Sequence, residues 1–282
     1  MKEKIGIVTD STCDIPKEFL QKFGIKVVPL RILYRDAEYR DGVDINTEEV
    51  YERLPEEVPT TSLPRPEDVL ALLNTMKEEG YTHVICIHLS SGLSGTAQMM
   101  RTVAEQIDGL KIKVIDSKSI SMGLGLMVLE AARAIQSKMS FDAICSHVQS
   151  LRNRLSVYFV LGTLEYLKKG GRIGKVSATI GELLHIKPII TVSKEGIYTT
   201  YAKVRGQKQA LDRMLQVAKE HISNAASYIA VCYGGAQEEA INFVNQIKDL
   251  PNVKELIPST VSPVIGVHTG PGTLGFAVLQ SE

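Results

Sequence analysis

Between Val84 and Ala97 the chain passes from an apolar run, Val84-Ile85-Cys86-Ile87, through Ser90-Ser91-Gly92-Leu93-Ser94-Gly95-Thr96 into a helical period. Met100, Val103, Ala104 and Ile107 carry that period. The apolar run reads as a buried strand, and the Ser/Gly loop opens a helix. A loop of this kind aims backbone N–H groups and the positive end of the helix dipole at one point, which suits a phosphate or carboxylate. The same serines and Thr96 serve equally well as helix caps, and the sequence leaves both readings open.

The same rhythm runs through the first half. Ile5 to Thr9 reads as a strand, and Asp14 is placed to cap a helix from Pro16 to Phe23 that stops at Gly24. Ile25 to Tyr34 reads as a second strand, followed by a charged, exposed segment from Arg35 to Asp44. Asn46 and Glu49 have the spacing of a capping box. Pro59, Pro64 and Pro66 make their segment a loop. Pro66 then starts a helix with Val69, Leu72, Leu73 and Met76 on one face. Ile112 to Ile115 is another strand, and Met122 to Ile135 and the stretch carrying Ile144, Val148 and Leu151 are helices. Strand and helix alternating in this way predict a mostly parallel α/β sheet.

Near Arg152-Asn153-Arg154 the pattern restarts. A strand at Val157 to Leu161 and a short helix at Leu164 to Lys168 lead into the basic, glycine-rich Lys168 to Lys175. Pro188 to Val192 and Tyr198 to Val204 form a hairpin around Lys194-Glu195-Gly196. A helix, a strand at Tyr228 to Tyr233, a second helix, the stretch Val264 to Thr273 and a final strand at Leu274 to Leu279 complete the chain. The fold expected is α/β with two α/β domains, 1–155 and 156–282. The first has a mostly parallel sheet and the second a mixed one, with a ligand cleft between them.

Several chemistries fall away on spacing. Gly270-Pro271-Gly272-Thr273-Leu274-Gly275 matches G-x-G-x-x-G, but no helix and no ribose-binding acid follow it. Gly170 to Lys175 is a residue short of a P-loop and is followed by Val176 rather than Ser or Thr. Gly92-Leu93-Ser94-Gly95 is not a nucleophile elbow. Neither the 6 histidines nor the 4 cysteines have zinc spacing, so no metal and no cofactor is expected. Lys+Arg and Asp+Glu both number 32, which provides no overall field for nucleic acid. No apolar run reaches membrane-spanning length, the opening MKEKIGIVTD runs straight into a strand, and the cysteines are scattered singly. The reading is cytoplasmic.

What remains are three polar sets. Thr60-Thr61-Ser62 and Ser90-Ser91 with Ser94 each precede a helix, and in a parallel sheet such loops gather at one edge. The third set is basic: Arg172, Lys203-Val204-Arg205-Gly206 and His268. Ordinary solvation accounts for an arginine or lysine, whereas His268 among Gly266, Gly270 and Gly272 has room around it for another group.

On these residues the chain resembles the DegV family of bacterial lipid-binding proteins. The resemblance spans nearly the whole chain. It rests on Val8-Thr9-Asp10-Ser11-Thr12, Thr61-Ser62-Leu63-Pro64 and Ser90 to Thr96, and continues through Tyr166 to Ile173, Lys203 to Gly206 and His268 to Thr273. It implies a long-chain fatty acid held between two α/β domains. It further implies the acyl-carrying, non-catalytic subunit of a fatty acid kinase, whose ATP-dependent partner phosphorylates the carboxylate for phospholipid synthesis. Carried over by motif, Thr61 and Ser91 bind the carboxylate, with Ser62 and Ser94 as second donors. Arg172, Arg205 and His268 form a basic rim for the acyl phosphate or the kinase. Leu63 departs from the pattern, since a polar residue such as Gln is expected there.

Burying about fifteen methylenes is worth roughly 12 kcal/mol gross at ~0.8 kcal/mol each, so the tail supplies affinity and the donors fix the acid group. The helix Met122 to Ile135 reads as tail wall or as core. The rival function is a serine-dependent acyl hydrolase or acyltransferase using Ser91 or Ser94 with His88 or His268.

Overall fold

The computed structural model describes residues 3–179 and 186–281. The first half runs β1 (Ile5–Asp10), α1 (Lys17–Phe23), β2 (Lys26–Val28), β3 (Arg31–Leu33), β4 (Glu38–Arg40), α2 (Thr47–Arg53) and β5 (Thr60–Ser62). It continues with α3 (Pro66–Glu78), β6 (His83–His88), α4 (Thr96–Ala104), β7 (Lys111–Asp116), α5 (Met122–Gln136) and α6 (Phe141–Leu151). The second half holds β8 (Leu155–Val160), α7 (Glu165–Lys169), β9 (Ile186–Val192), β10 (Tyr198–Arg205) and α8 (Gly206–Asn224). It closes with β11 (Ser227–Gly234), α9 (Gln237–Ile247), β12 (Val253–Thr260), α10 (Pro263–Thr269) and β13 (Thr273–Gln280).

Three sheets result. The first, ordered β2-β1-β6-β7, is parallel throughout. The second, ordered β10-β9-β8-β13-β11-β12, is antiparallel except for its β11–β12 pair. This is the α/β architecture expected, with a parallel and a mixed sheet. The third, β4-β3-β5, is antiparallel and was not anticipated.

β6 shows why its run is apolar on both faces. Val84 and Cys86 pack with Leu73, Met76, Met100 and Val103 beneath α3 and α4. Ile85 and Ile87, alternating with them, face α5. α5 is buried all round, with 11 of its 15 residues inside. It shares one cluster with Ile7 and Ile85 of the first sheet and with Ile190, Ala230 and Ala277 of the second. Most of α5 is therefore core joining the two halves, and Met122 and Gly123 from its first turn border an apolar cavity.

Several local expectations are corrected. Ile25 to Tyr34 is not one strand: β2 ends at Val28, Pro29 interrupts it, and β3 begins at Arg31 in another sheet. Pro59 to Pro66 is not all loop, because the residues between the prolines extend as β5 and pair Thr61 with Ile32. The Arg35 to Asp44 segment is not simply solvated, since it contributes β4 and the buried Asp41. The stretch Val264 to Thr273, which was given no element, contains most of α10, and β12 was not read at all. The Asn46/Glu49 capping box is present on both arms, at 2.9 and 2.8 Å.

Asp14 does not cap α1, whose N-cap is Pro16 with no side-chain bond. Its buried carboxylate instead accepts the Ser262 N–H at 2.9 Å and pairs with Ser121 Oγ at 2.5 Å. Asp41, also buried, accepts the Val264 N–H at 3.0 Å. Two acids of the first half thus hold the start of α10, and Thr47 Oγ1 adds a bond to Val261 O at 2.7 Å. Burial pushes the Asp14 carboxyl up to about 8 and that of Asp41 up to about 7.

In that range the folded chain keeps protons that the unfolded chain, with carboxyls near 3.8, has already released. Stability therefore falls as pH rises between those values. His268 works in the opposite sense between about 4 and 6.5. The decline is thus cleanest from pH 6.5 to 8, at no more than about 1.4 kcal/mol per pH unit for each proton. Urea unfolding should show a lower midpoint at pH 8 than at pH 6.5, with the difference reduced in Asp14→Asn. A midpoint that rises over this interval in the parent protein would contradict the assignment.

Candidate functional site

A cavity of about 240 Å³ opens where the two halves meet. β5 and the residue after it supply Thr61, Ser62 and Leu63, and the β6–α4 loop supplies Leu93, Ser94 and Gly95. From the second half come Arg172 after α7, Tyr198 of β10, and Ile265, His268 and Thr269 of α10. A second, narrow cavity of about 40 Å³ lies deeper, walled by Met122, Val157, Phe159, Cys232, Phe276 and Ala277 among others. Ile120, Tyr198, Ile265 and Thr269 border both, so these residues form a neck between a polar mouth and an apolar interior.

The mouth is organised around His268. Its Nε2 lies 2.8 Å from Thr61 Oγ1, and its Nδ1 is buried with no partner among the described residues. The ring is close to Gly170, where an added Cβ would sit 2.2 Å from Nδ1, so only glycine fits there. Burial first, and the nearby Arg172 cation second, lower the imidazole to about 4. At neutral pH His268 is uncharged and turned inward to Thr61, which corrects its expected part in a cationic rim. A proton on Nε2 satisfies Thr61 as an acceptor and frees the threonine O–H to donate into the cavity. The other tautomer would bury an unpaired Nδ1–H.

Arg172 is the cation of this mouth. Its Nη1 donates to Gly170 O at 2.8 Å and its Nε to Leu93 O at 3.4 Å. Among the described residues both recorded partners are carbonyls and neither is an acid, so its charge is free to meet an anion. Ser94 lies beside it, its Oγ 2.9 Å from Thr96 Oγ1 and accepting the Thr96 N–H at 3.3 Å. Leu63 borders the mouth opposite the β6–α4 loop, placing a hydrocarbon surface where a polar side chain was expected.

The loop itself is not the donor nest its composition suggested. The N–H groups of Leu93 and Ser94 bond to Ser90 O at 2.9 and 3.1 Å, and that of Gly92 to Ser90 Oγ at 3.1 Å. The Ser91 N–H is taken by Asp116 Oδ1 at 3.1 Å. Side chains, not this run of amides, are left to meet a ligand. The loop is pressed on the β9–β10 turn: Ser90 Oγ donates to Gly196 O at 2.7 Å, and a Cβ on Gly92 would lie 2.6 Å from that same oxygen.

The structure thus brings Thr61, Ser62, Ser94, Arg172 and His268 to one cavity. It does not bring Ser91 there. Ser91 is exposed, its Oγ accepts from Lys118 Nζ at 2.7 Å, and it borders a separate outer hollow. The backbone bonds that close the turn point neighbouring serines to different sides. Arg205 is also apart, exposed at the end of β10. Tyr198 was missed as a site residue, because nothing in a hairpin sequence marks which residue faces a cavity.

The serine–histidine reading finds no pair. His88 is fully buried, its Nδ1 meets Asp10 Oδ2 at 2.9 Å, and its Nε2 has no partner among the described residues. His268 pairs with a threonine. Among the described residues no cluster of His, Cys, Asp and Glu is placed to hold a metal, and no helix is long and apolar enough to cross a membrane.

The sequence profile of the DegV family matches residues 4–281. A DegV domain-containing protein of Clostridium acetobutylicum is 44% identical over 279 residues, covering 99% of both chains. A DegV family protein from Thermus thermophilus, described with fatty acid binding, superposes with a TM-score of 0.92 at 34% identity. That match covers 99% of this chain and 100% of the other. DegV from Bacillus subtilis, described as a fatty acid binding protein, gives 0.91 at 31% identity with the same coverage. By sequence over nearly its whole length, and by fold, this chain belongs to the DegV family.

Proposed function

We propose that the protein is a long-chain fatty-acid carrier that presents the acid group to a separate ATP-dependent kinase subunit. The observation that carries this reading is an arginine with no acid partner among the described residues, beside Thr61 and Ser94, at the open end of a space whose inner end is apolar. A carboxylate at the mouth pairs with Arg172 and accepts from Thr61 and Ser94, with exposed Ser62 as a further donor. The hydrocarbon passes the neck into the apolar cavity. His268 positions Thr61. Phosphoryl transfer to the carboxylate is then simple in balance: a carboxylate oxygen forms the O–P bond to the γ-phosphorus of ATP as the bond to ADP breaks. No proton is exchanged, which suits a site whose histidine is neutral. The fatty-acid-binding descriptions of the Thermus and Bacillus relatives support the ligand class.

Organic extraction of the purified protein should release long-chain fatty acid by mass spectrometry, and stripped protein should take up palmitate one to one. Protein that neither carries nor takes up fatty acid would end the reading. Exposed Arg205 is assigned to the kinase contact rather than to the acid group. Arg205→Ala should leave the loaded fraction unchanged and slow acyl phosphate formation, trapped as hydroxamate, roughly two- to fivefold, as for one exposed charge pair. Loss of loading in Arg205→Ala would remove that assignment.

A further inference from the structure

Outside the mouth lies a third hollow of about 360 Å³, bordered by Ser91, Ser94, Gly171, Arg172, Gly174 and Tyr198. Three of these, Ser94, Arg172 and Tyr198, also border the acid-group cavity. Ser91 borders the outer space and not the acid-group cavity, and Lys118 stands behind Ser91, with Nζ 2.7 Å from Ser91 Oγ and 2.9 Å from Asp116 Oδ2. Asp116 Oδ1 accepts the backbone N–H groups of both Ser91 and Lys118, at 3.1 and 3.0 Å. One carboxylate therefore fixes a hydroxyl and an ammonium together at the rim. Ser91 Oγ accepts from Lys118 and also bonds the Asp116 carboxyl, helping to lower it, so a phosphoryl oxygen would compete with Asp116 for the hydroxyl proton.

We propose that this outer hollow is a phosphoryl subsite, built by Ser91, Lys118 and Arg172 for the acyl phosphate form of the ligand. The inference rests on the carrier reading above and adds to it a place for the product's new group. Phosphorylation moves the negative charge. The fatty acid carries it on the carboxylate, whereas in the acyl phosphate the carbonyl is neutral and the charge sits on the phosphoryl oxygens. A residue bordering both spaces can follow that charge, and Arg172 does so. Ser91 borders only the second location, with Lys118 bonded to it from behind, so this pair distinguishes product from substrate. Gly171 and Gly174 line the same hollow with no side chain to obstruct a tetrahedral group, and an added Cβ at Gly171 would meet no atom within 4 Å.

The test compares palmitate with its hydrolysis-resistant acyl phosphonate, a ligand of the same chain bearing a permanent phosphorus oxyanion. Calorimetric titration of the full-length protein should show Ser91→Ala and Lys118→Met binding palmitate as the parent does while losing about tenfold or more for the phosphonate. Ser91→Asp, which sets a like charge against the phosphorus group, should lose more still. Thermal melting of each variant confirms the fold. Parent protein that binds palmitate, with variants whose phosphonate affinity is unchanged or falls in step with palmitate, overturns the subsite and leaves the carrier intact. Parent protein that fails to bind palmitate overturns both.

Discussion

Ile265→Trp is expected to abolish retention of palmitate while leaving octanoate binding close to that of the parent protein. Ile265 is buried on α10 and borders both the polar mouth and the apolar interior, so its side chain is part of the neck between them. An indole there fills the passage. A long chain is then shut out of the apolar interior, forfeiting ~0.8 kcal/mol gross for each methylene excluded, so a handful of them costs roughly a hundredfold. An eight-carbon acid needs only the acid-group cavity and keeps its contacts to Thr61, Ser94 and Arg172. Overpacking costs about 1–3 kcal/mol of stability, so the melting temperature should fall modestly, and octanoate binding shows that the mouth is still assembled. Calorimetry with both acids reads the difference. Palmitate bound at parental affinity by Ile265→Trp would place the hydrocarbon elsewhere.

Arg172→Gln has two expected consequences that arise from one charge. Palmitate affinity should drop about 10- to 100-fold, because a charge-assisted hydrogen bond is worth roughly 1.5–3 kcal/mol. In ligand-free protein the His268 imidazole should move up from about 4 toward its ordinary 6.5, since Arg172 is one of the two causes that depress it. Burial is the larger cause and persists, so the shift is partial. Proton NMR of the imidazole across a pH series follows it. Arg172→Lys keeps the charge and should hold the histidine low, but loses the planar fork and with it part of the affinity. A histidine that does not move in Arg172→Gln would mean that the two groups are not electrically coupled.

The features legible in the sequence are those decided locally. The buried strands β1 and β6 announce themselves as apolar runs, and the Asn46/Glu49 box marks the start of α2. The change from a parallel to a mixed sheet coincides with the pattern's restart near residue 155, where β8 begins. The features not legible are those decided by distant contacts. α10 has glycine at 266 and apolar residues on every side, so it lacks any helical period. Its start is fixed by Asp14 and Asp41, 248 and 223 residues away in the chain. The choice between Ser91 and Ser94 is of the same kind. Both hydroxyls are present in the motif, but the turn's hydrogen bonds to Ser90 and Asp116 decide which faces inward. His268 was singled out for its glycine neighbours, and Gly170 does make room for its ring. Its charge state was not readable, because neutrality comes from burial and from an arginine 96 positions earlier.

A helix enclosed by two sheets leaves no hinge plane along which the halves could part like jaws. On the carrier reading, cargo exchange would instead follow a local movement of the seven-residue α10, which borders the cavity and whose start is bonded to Asp14 and Asp41. Release of lipid would then keep the tempo of a small local fluctuation while the bulk of the molecule stays assembled.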